Sequence, residues 1–181
     1  FHQYPFWPPD IDWYTEDGLG NGKGYNVNIP LPAGTGDRGY LAAWDAIVKP
    51  ICLEYQPELI LLSAGYDAHS ADPLGQQQIS TEGYFLLTNR LVELAEASKC
   101  PIVGFLYCGY NTRSLADSVV ATVKVLNADD KSKRENLDAF GGIYGAEVAP
   151  ATNDRNPFLV DDRIAEVRRY LAKYWRCLRS N

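Results

Sequence analysis

An α/β fold, a parallel sheet with helices on both of its faces, is what this sequence predicts, and three observations carry the expectation. Two short continuous apolar runs, Leu59 to Leu62 and Pro101 to Tyr107, have the pattern of strands covered on both sides. Each is followed by an amphipathic stretch of helical length, over 81–97 and 114–126. Between strand and helix lie polar loops, Ser63 to Gly75 and Cys108 to Asn111, at strand carboxyl ends, where open α/β sheets place their ligands.

Taken in order, residues 1–10 set Tyr4, Phe6 and Trp7 among prolines, which predicts an extended or turning loop. The alternating glycines of Gly18 to Gly24 mark a turn rather than a phosphate loop, because Lys23 is followed by glycine and not by Ser or Thr. A strand is expected over Tyr25 to Leu31. A helix follows from Arg38 to Tyr55, with Leu41, Trp44, Ile47, Val48 and Ile51 on one face and a kink at Pro50. In the helix over 81–97 the inner face is Tyr84, Leu87, Leu91, Leu94 and Ala95; in that over 114–126 it is Leu115, Val119, Val123 and Leu126. Residues 127–162 form a long polar loop without period, and a closing helix over 163–178 turns Ile164, Val167, Leu171, Tyr174 and Trp175 inward. The chain reads as one domain over 1–181, and its alternation of strand and helix should bring the two polar loops to one rim of the sheet.

Composition excludes several classes. With 181 residues, 46% hydrophobic and 22% charged, the chain is long enough for a proper core. A net charge of −6 without clustered Lys and Arg is no nucleic-acid footprint. No apolar run reaches the length of a membrane span, and no signal segment opens the chain. Cys52, Cys100, Cys108 and Cys177 are scattered, the usage of free thiols in a cytoplasmic protein. The sequence opens on Phe1 and holds no Met, so a fragment or a processed chain is expected.

Chemistry concentrates in the loop after Leu62. Asp67, His69 and Asp72 are ligand types suited to zinc. The competing reading makes Asp67 and Asp72 caps of turns and of the next helix, and spacing alone favours it, since no HExxH and no paired Cys motif is present.

Three ordered stretches alter that balance: Asn28 to Tyr40 (NIPLPAGTGDRGY), Pro57 to Gly75 (PELILLSAGYDAHSADPLG) and Leu106 to Val119 (LYCGYNTRSLADSV). In order and spacing they resemble the C-terminal half of the histone deacetylase and acetylpolyamine amidohydrolase family, closest to its bacterial and class II members, over about residues 1–126. The resemblance implies an arginase/deacetylase-like fold and a zinc-dependent hydrolase that removes acetyl groups from acetyl-lysine or acetylated polyamines. It makes Asp72 a zinc ligand and Tyr110 the donor to the oxyanion. Asp67 and His69 stand around the ligand in supporting roles. Trp7, Ile79, Cys108 and Gly109 fall at the substrate channel, and the backbone carbonyl of Tyr25 at a site for a monovalent cation, potassium.

This sequence departs from the family pattern in two places. Cys108 stands where the family has a tunnel-lining glycine, a change that would narrow the channel or alter its acyl preference. The upstream D-x-H and the tandem His are missing, the only histidines being His2 and His69. A catalytic zinc needs three protein ligands, so the chain by itself should be inactive, with the missing half supplied by a complementing N-terminal segment. The alternative is a truncated, non-catalytic homologue that acts as a homo-oligomer through its exposed sheet edge. No contact with nucleic acid or membrane is expected.

Overall fold

Ser80, Asn111 and Asn156 set where the three long helices begin. The computed structural model describes residues 1–6, 12–128 and 153–179. Ser80 Oγ accepts the N–H of Gly83, Asn111 Oδ1 those of Arg113 and Ser114, and Asn156 Oδ1 that of Leu159, each covering donors that a first helical turn leaves free. The chain runs β1 (His2–Gln3), β2 (Pro30–Leu31), α1 (Asp37–Ala43), α2 (Lys49–Tyr55), β3 (Ile60–Gly65), α3 (Thr81–Ser98), β4 (Ile102–Cys108), α4 (Thr112–Asn127) and α5 (Pro157–Leu171).

Between α1 and α2, Trp44–Val48 winds as a π-helix, so the whole run from Asp37 to Tyr55 is continuous. Pro50 has no N–H to give to the preceding turn, and a wide turn just before it takes up the misfit expected as a kink. Gln56, at φ 56°, ends the run. The closing helix differs from expectation: Pro157 at its start brings it forward to Pro157–Leu171, and a 3-10 turn at Arg176–Leu178 follows. The strand expected over Tyr25 to Leu31 shrinks to its last two residues. Most of the expected polar loop over 127–162 lies outside the described residues.

β1 pairs with β2 and β3 with β4, both in parallel, in two separate two-stranded sheets. On one face of β3–β4, Ile60, Leu62 and Ile102 pack under Trp44, Leu91 and Leu94. The opposite face carries no such cover among the described residues. Leu61 is 63% exposed, Phe105 56% and Tyr107 76%. Of the expected α/β fold, the described residues show a mixed α/β arrangement with small parallel sheets, and one face of β3–β4 covered. Apolar runs record that both faces are apolar, not that both find a layer.

The main core lies between α1, β2 and α5, where Ile29, Leu31, Ile47, Val160, Val167 and Leu171 are almost fully buried. A second contact joins α3 to α4 through Phe85, Val92, Ala121 and Val125. Asp17 fastens the glycine-rich turn to the end of α5: its carboxylate accepts Tyr170 O–H at 2.7 Å and Tyr174 O–H at 2.6 Å and pairs with Lys23 at 2.7 Å. Among the described residues no helix is long and apolar enough to cross a membrane.

Candidate functional site

The carboxyl ends of β3 and β4 lie side by side, Gly65 opposite Cys108, so the loops that leave them meet. Tyr66 N–H donates to Cys108 C=O at 2.9 Å, and Asn111 Nδ2 to Ala71 C=O at 3.1 Å. The Asp67 to Gly75 loop folds on itself through Asp72 N–H to His69 C=O and is stitched to the run before α3 through Ser70 N–H to Ile79 C=O and Ile79 N–H to Ala68 C=O.

Asp72 is buried, 8% exposed. Its Oδ1 accepts the N–H groups of Leu74 at 2.9 Å and Gly75 at 3.0 Å, and its Oδ2 that of Tyr110 at 2.8 Å. The structure thus joins the two residues that the sequence singled out, and it also gives Asp72 a turn-holding role. Tyr110 has an exposed ring whose hydroxyl points to Cys108 Sγ at 3.6 Å; that contact favours the protonated phenol and raises its pKa. Gly109, at φ 135°, makes the bend between them, and a Cβ there would stand 2.9 Å from Leu115 Cδ1.

Asp67 sits half-buried beside this pair, its carboxyl pushed up by burial and further by the charge of Asp72. His69 lies flat against Tyr84, with rings 7° from parallel and 6.4 Å apart. Its Nδ1 accepts Ala71 N–H at 3.0 Å, so the ring proton belongs on Nε2, which faces Thr81 Oγ1 at 3.3 Å. Burial lowers its pKa and keeps the ring neutral.

A cleft of about 1150 Å³ opens at this rim, lined among others by Asp67, Pro73 to Gly75, Ile79, Cys108 and Tyr110, with Asp72 itself outside the lining. Ile79 lines the cleft and is 1% exposed. Trp7 lies outside the described residues. Tyr25 stands apart from the cleft, its ring against Tyr55 and Trp175.

Some supporting residues escaped sequence reasoning. Asp37, 1% exposed, accepts Ser80 N–H at 2.8 Å and Ser80 O–H at 2.7 Å, and so fixes the start of α3. Buried Gln77 accepts Thr35 N–H at 3.0 Å. Asn153 and Asp154 accept the N–H groups of Asp37 and Gly36 at 2.9 and 2.7 Å, while Asn153 Nδ2 donates to Gln78 C=O at 2.5 Å. Three adjacent glutamines between a loop and a helix were the available signal, since such a polar run holds its place only through partners found far along the chain.

Among the described residues no three of His, Cys, Asp and Glu converge where they could hold a metal ion. Asp72 alone is too few for a zinc site, and all its hydrogen bonds already serve backbone N–H groups. The described residues do not make a complete metal centre.

Comparison with known proteins places this arrangement. Residues 1–126 match the model of the histone deacetylase domain. A probable deacetylase of Archaeoglobus fulgidus is 32% identical over 98% of this chain and 49% of its own length. Histone deacetylase 5 of Arabidopsis thaliana is 37% identical over 98% of this chain and 24% of its own. Polyamine deacetylase HDAC10 of Danio rerio is 38% identical over 86% of this chain and 23% of its own. The crystal structure of the HDA15 HD domain superposes with a TM-score of 0.75 at 28% identity, over 98% of this chain and 43% of that one. The chain thus spans half or less of the length of these relatives. It carries the matched stretch across more than two thirds of its residues, and it belongs to the histone deacetylase domain family.

Proposed function

We propose that this chain forms one wall of an amide-hydrolysing site that removes acetyl groups from acetyl-lysine or acetylated polyamines. The observation that supports the reading most is the bond from Tyr110 N–H to Asp72, which sets a protonated phenol at the rim of a cleft where two strand ends meet. In amide hydrolysis negative charge gathers on the carbonyl oxygen, and an O–H donor aimed there stabilises it. Tyr110 supplies that donor, with its raised pKa keeping the proton in place. Cys108 faces the same phenol and narrows the approach, so it bears on which acyl group is accepted. Relatives named histone deacetylases and polyamine deacetylases are the ground for the substrate class.

The family is zinc-dependent, whereas the described residues of this chain offer one candidate ligand, Asp72. The chain alone should therefore show no turnover of an acetyl-lysine reporter and retain no stoichiometric zinc. The test is a chimera in which this chain replaces the matched part of the Archaeoglobus fulgidus relative. It should cleave an acetyl-lysine reporter or an acetylated polyamine, and Tyr110→Phe should lower kcat roughly 100-fold. A folded, zinc-loaded chimera without turnover sinks the reading.

A further inference from the structure

We infer that Asn111 is a positioning residue of the candidate site: its side-chain amide clamps the loop that leaves β3 to the turn that carries Tyr110, and so sets where the phenol stands. The inference rests on the deacetylase reading for what the phenol does, and goes beyond it in naming what holds the phenol there.

Tyr110 takes little of its placement from its own ring. The residue is 55% exposed, and its hydroxyl meets Cys108 Sγ, a weak acceptor, at 3.6 Å. The ring therefore stands where the backbone puts it, and the backbone just before it is Gly109 at φ 135°, where no Cβ restricts the chain. The bond from Tyr110 N–H to Asp72 Oδ2, at 2.8 Å, would by itself act as a pivot. Asn111 adds the second point, its Nδ2 donating to Ala71 C=O at 3.1 Å. Neighbours Ala71 and Asp72 thus grip neighbours Asn111 and Tyr110, and two bonds fix a direction that one leaves free.

The residue type fits two tasks at once. As the N-cap of α4, position 111 needs an acceptor, and Asn111 Oδ1 takes the N–H groups of Arg113 and Ser114, both at 3.1 Å. Ser or Asp would cap as well, but Asp has no donor and the Ser side chain is one atom shorter. The amide nitrogen is what Asn adds, and here it faces the loop that holds Asp72. Both ends of the amide agree on its orientation, oxygen toward two N–H groups and nitrogen toward a C=O. Asn111 C=O accepts Leu115 N–H at 2.9 Å, so the clamp is seated on the first turn of a 16-residue helix. Capping and clamping use different atoms, and substitution can separate them.

The experiment uses Asn111→Ser and Asn111→Asp, which keep a capping oxygen and lose the donor to Ala71 C=O. In the chain alone, amide hydrogen exchange read by NMR should show Tyr110 N–H about tenfold less protected in both variants, with the amides of Arg113 and Ser114 within about twofold of wild type. In the chimera with the Archaeoglobus fulgidus relative, both should lower kcat roughly tenfold and leave KM within about twofold. Combining Asn111→Ser with Tyr110→Phe should give the kcat of Tyr110→Phe alone, because a clamp acts only through what it holds. Unchanged protection of Tyr110 N–H, an equal loss at Arg113 and Ser114, full turnover in both variants, or a loss that multiplies with that of Tyr110→Phe overturns the inference. A wild-type chimera without turnover counts against the deacetylase reading, and the exchange of Tyr110 N–H then decides on the clamp by itself.

Discussion

Tyr110 N–H and Asp72 Oδ2 lie 2.8 Å apart, while the other oxygen of that carboxylate takes the N–H groups of Leu74 and Gly75. One side chain therefore ties the end of β4 to the loop that leaves β3. Its removal strands three backbone donors, each costing roughly 1–3 kcal/mol where water does not reach.

Asp72→Ala should lower stability by about 3 kcal/mol, and Asp72→Asn by about half as much, because an amide oxygen still accepts. Urea denaturation reads both. A loss below about 1 kcal/mol for the alanine variant would show that the two loops are held by other means.

His69 gives a pH signature. Burial lowers its pKa beneath 6.5, so the folded chain prefers the neutral ring while the unfolded chain takes up a proton near 6.5. Its contribution is complete above that value and is lost as pH falls through and below it. The urea midpoint of the wild type should fall between pH 7.5 and 5.5, and His69→Asn should flatten that slope. Burial raises the pKa of the Asp37 carboxyl, so that group works in the opposite sense.

Asp17 acts at lower pH. The contacts with Lys23, Tyr174 and Tyr170 hold its carboxyl well below the usual range, so its contribution is present above about pH 4 and is lost on further acidification. Asp17→Asn should lower the urea midpoint at pH 7 and reduce the fall between pH 4 and pH 2. Tyr174→Phe removes one charge-assisted bond and should cost about 1.5 kcal/mol. An unchanged acid limb in Asp17→Asn would assign acid unfolding to other groups.

Gly109 and Cys108 separate shape from chemistry. Gly109→Ala meets both a φ of 135° and the Leu115 side chain, and should cost about 2 kcal/mol. Cys108→Gly should leave stability nearly unchanged and lower the pKa of the Tyr110 phenol, since the thiol contact is the first cause of its rise. Ultraviolet difference titration, with Tyr110→Phe identifying the signal, measures the shift.

Much of this architecture was legible in the residues. The helices over 81–97 and 114–126 appear as Thr81–Ser98 and Thr112–Asn127, but the second buries Ser118, Ala121, Thr122 and Val125 and leaves Val123, expected inward, 48% exposed. The meeting of the two polar loops followed from parallel strands. The covering of the sheet did not, since an apolar run cannot say whether a layer exists to bury it. Nor did the bracing of Gly36 and Asp37 by Asp154 and Asn153, which join positions more than a hundred residues apart and leave no local pattern. The last helix starts earlier than the apolar spacing suggested because Pro157 sits at its first position, where a missing N–H costs nothing.

The widened turn at Trp44–Val48 lets two helical stretches keep different angular phases on one axis. Leu41 and Ile47 reach the interior before it completes, and Ile51 after it. Deleting a single residue there, Ala46 for instance, would rewind the turn to ordinary pitch and swing everything beyond it by about 100°. Ile51 would then rotate toward water, and Glu54 would leave the backbone N–H groups of Arg176 and Cys177 that it now accepts. A change in the first long helix would in this way be felt at the far end of the chain.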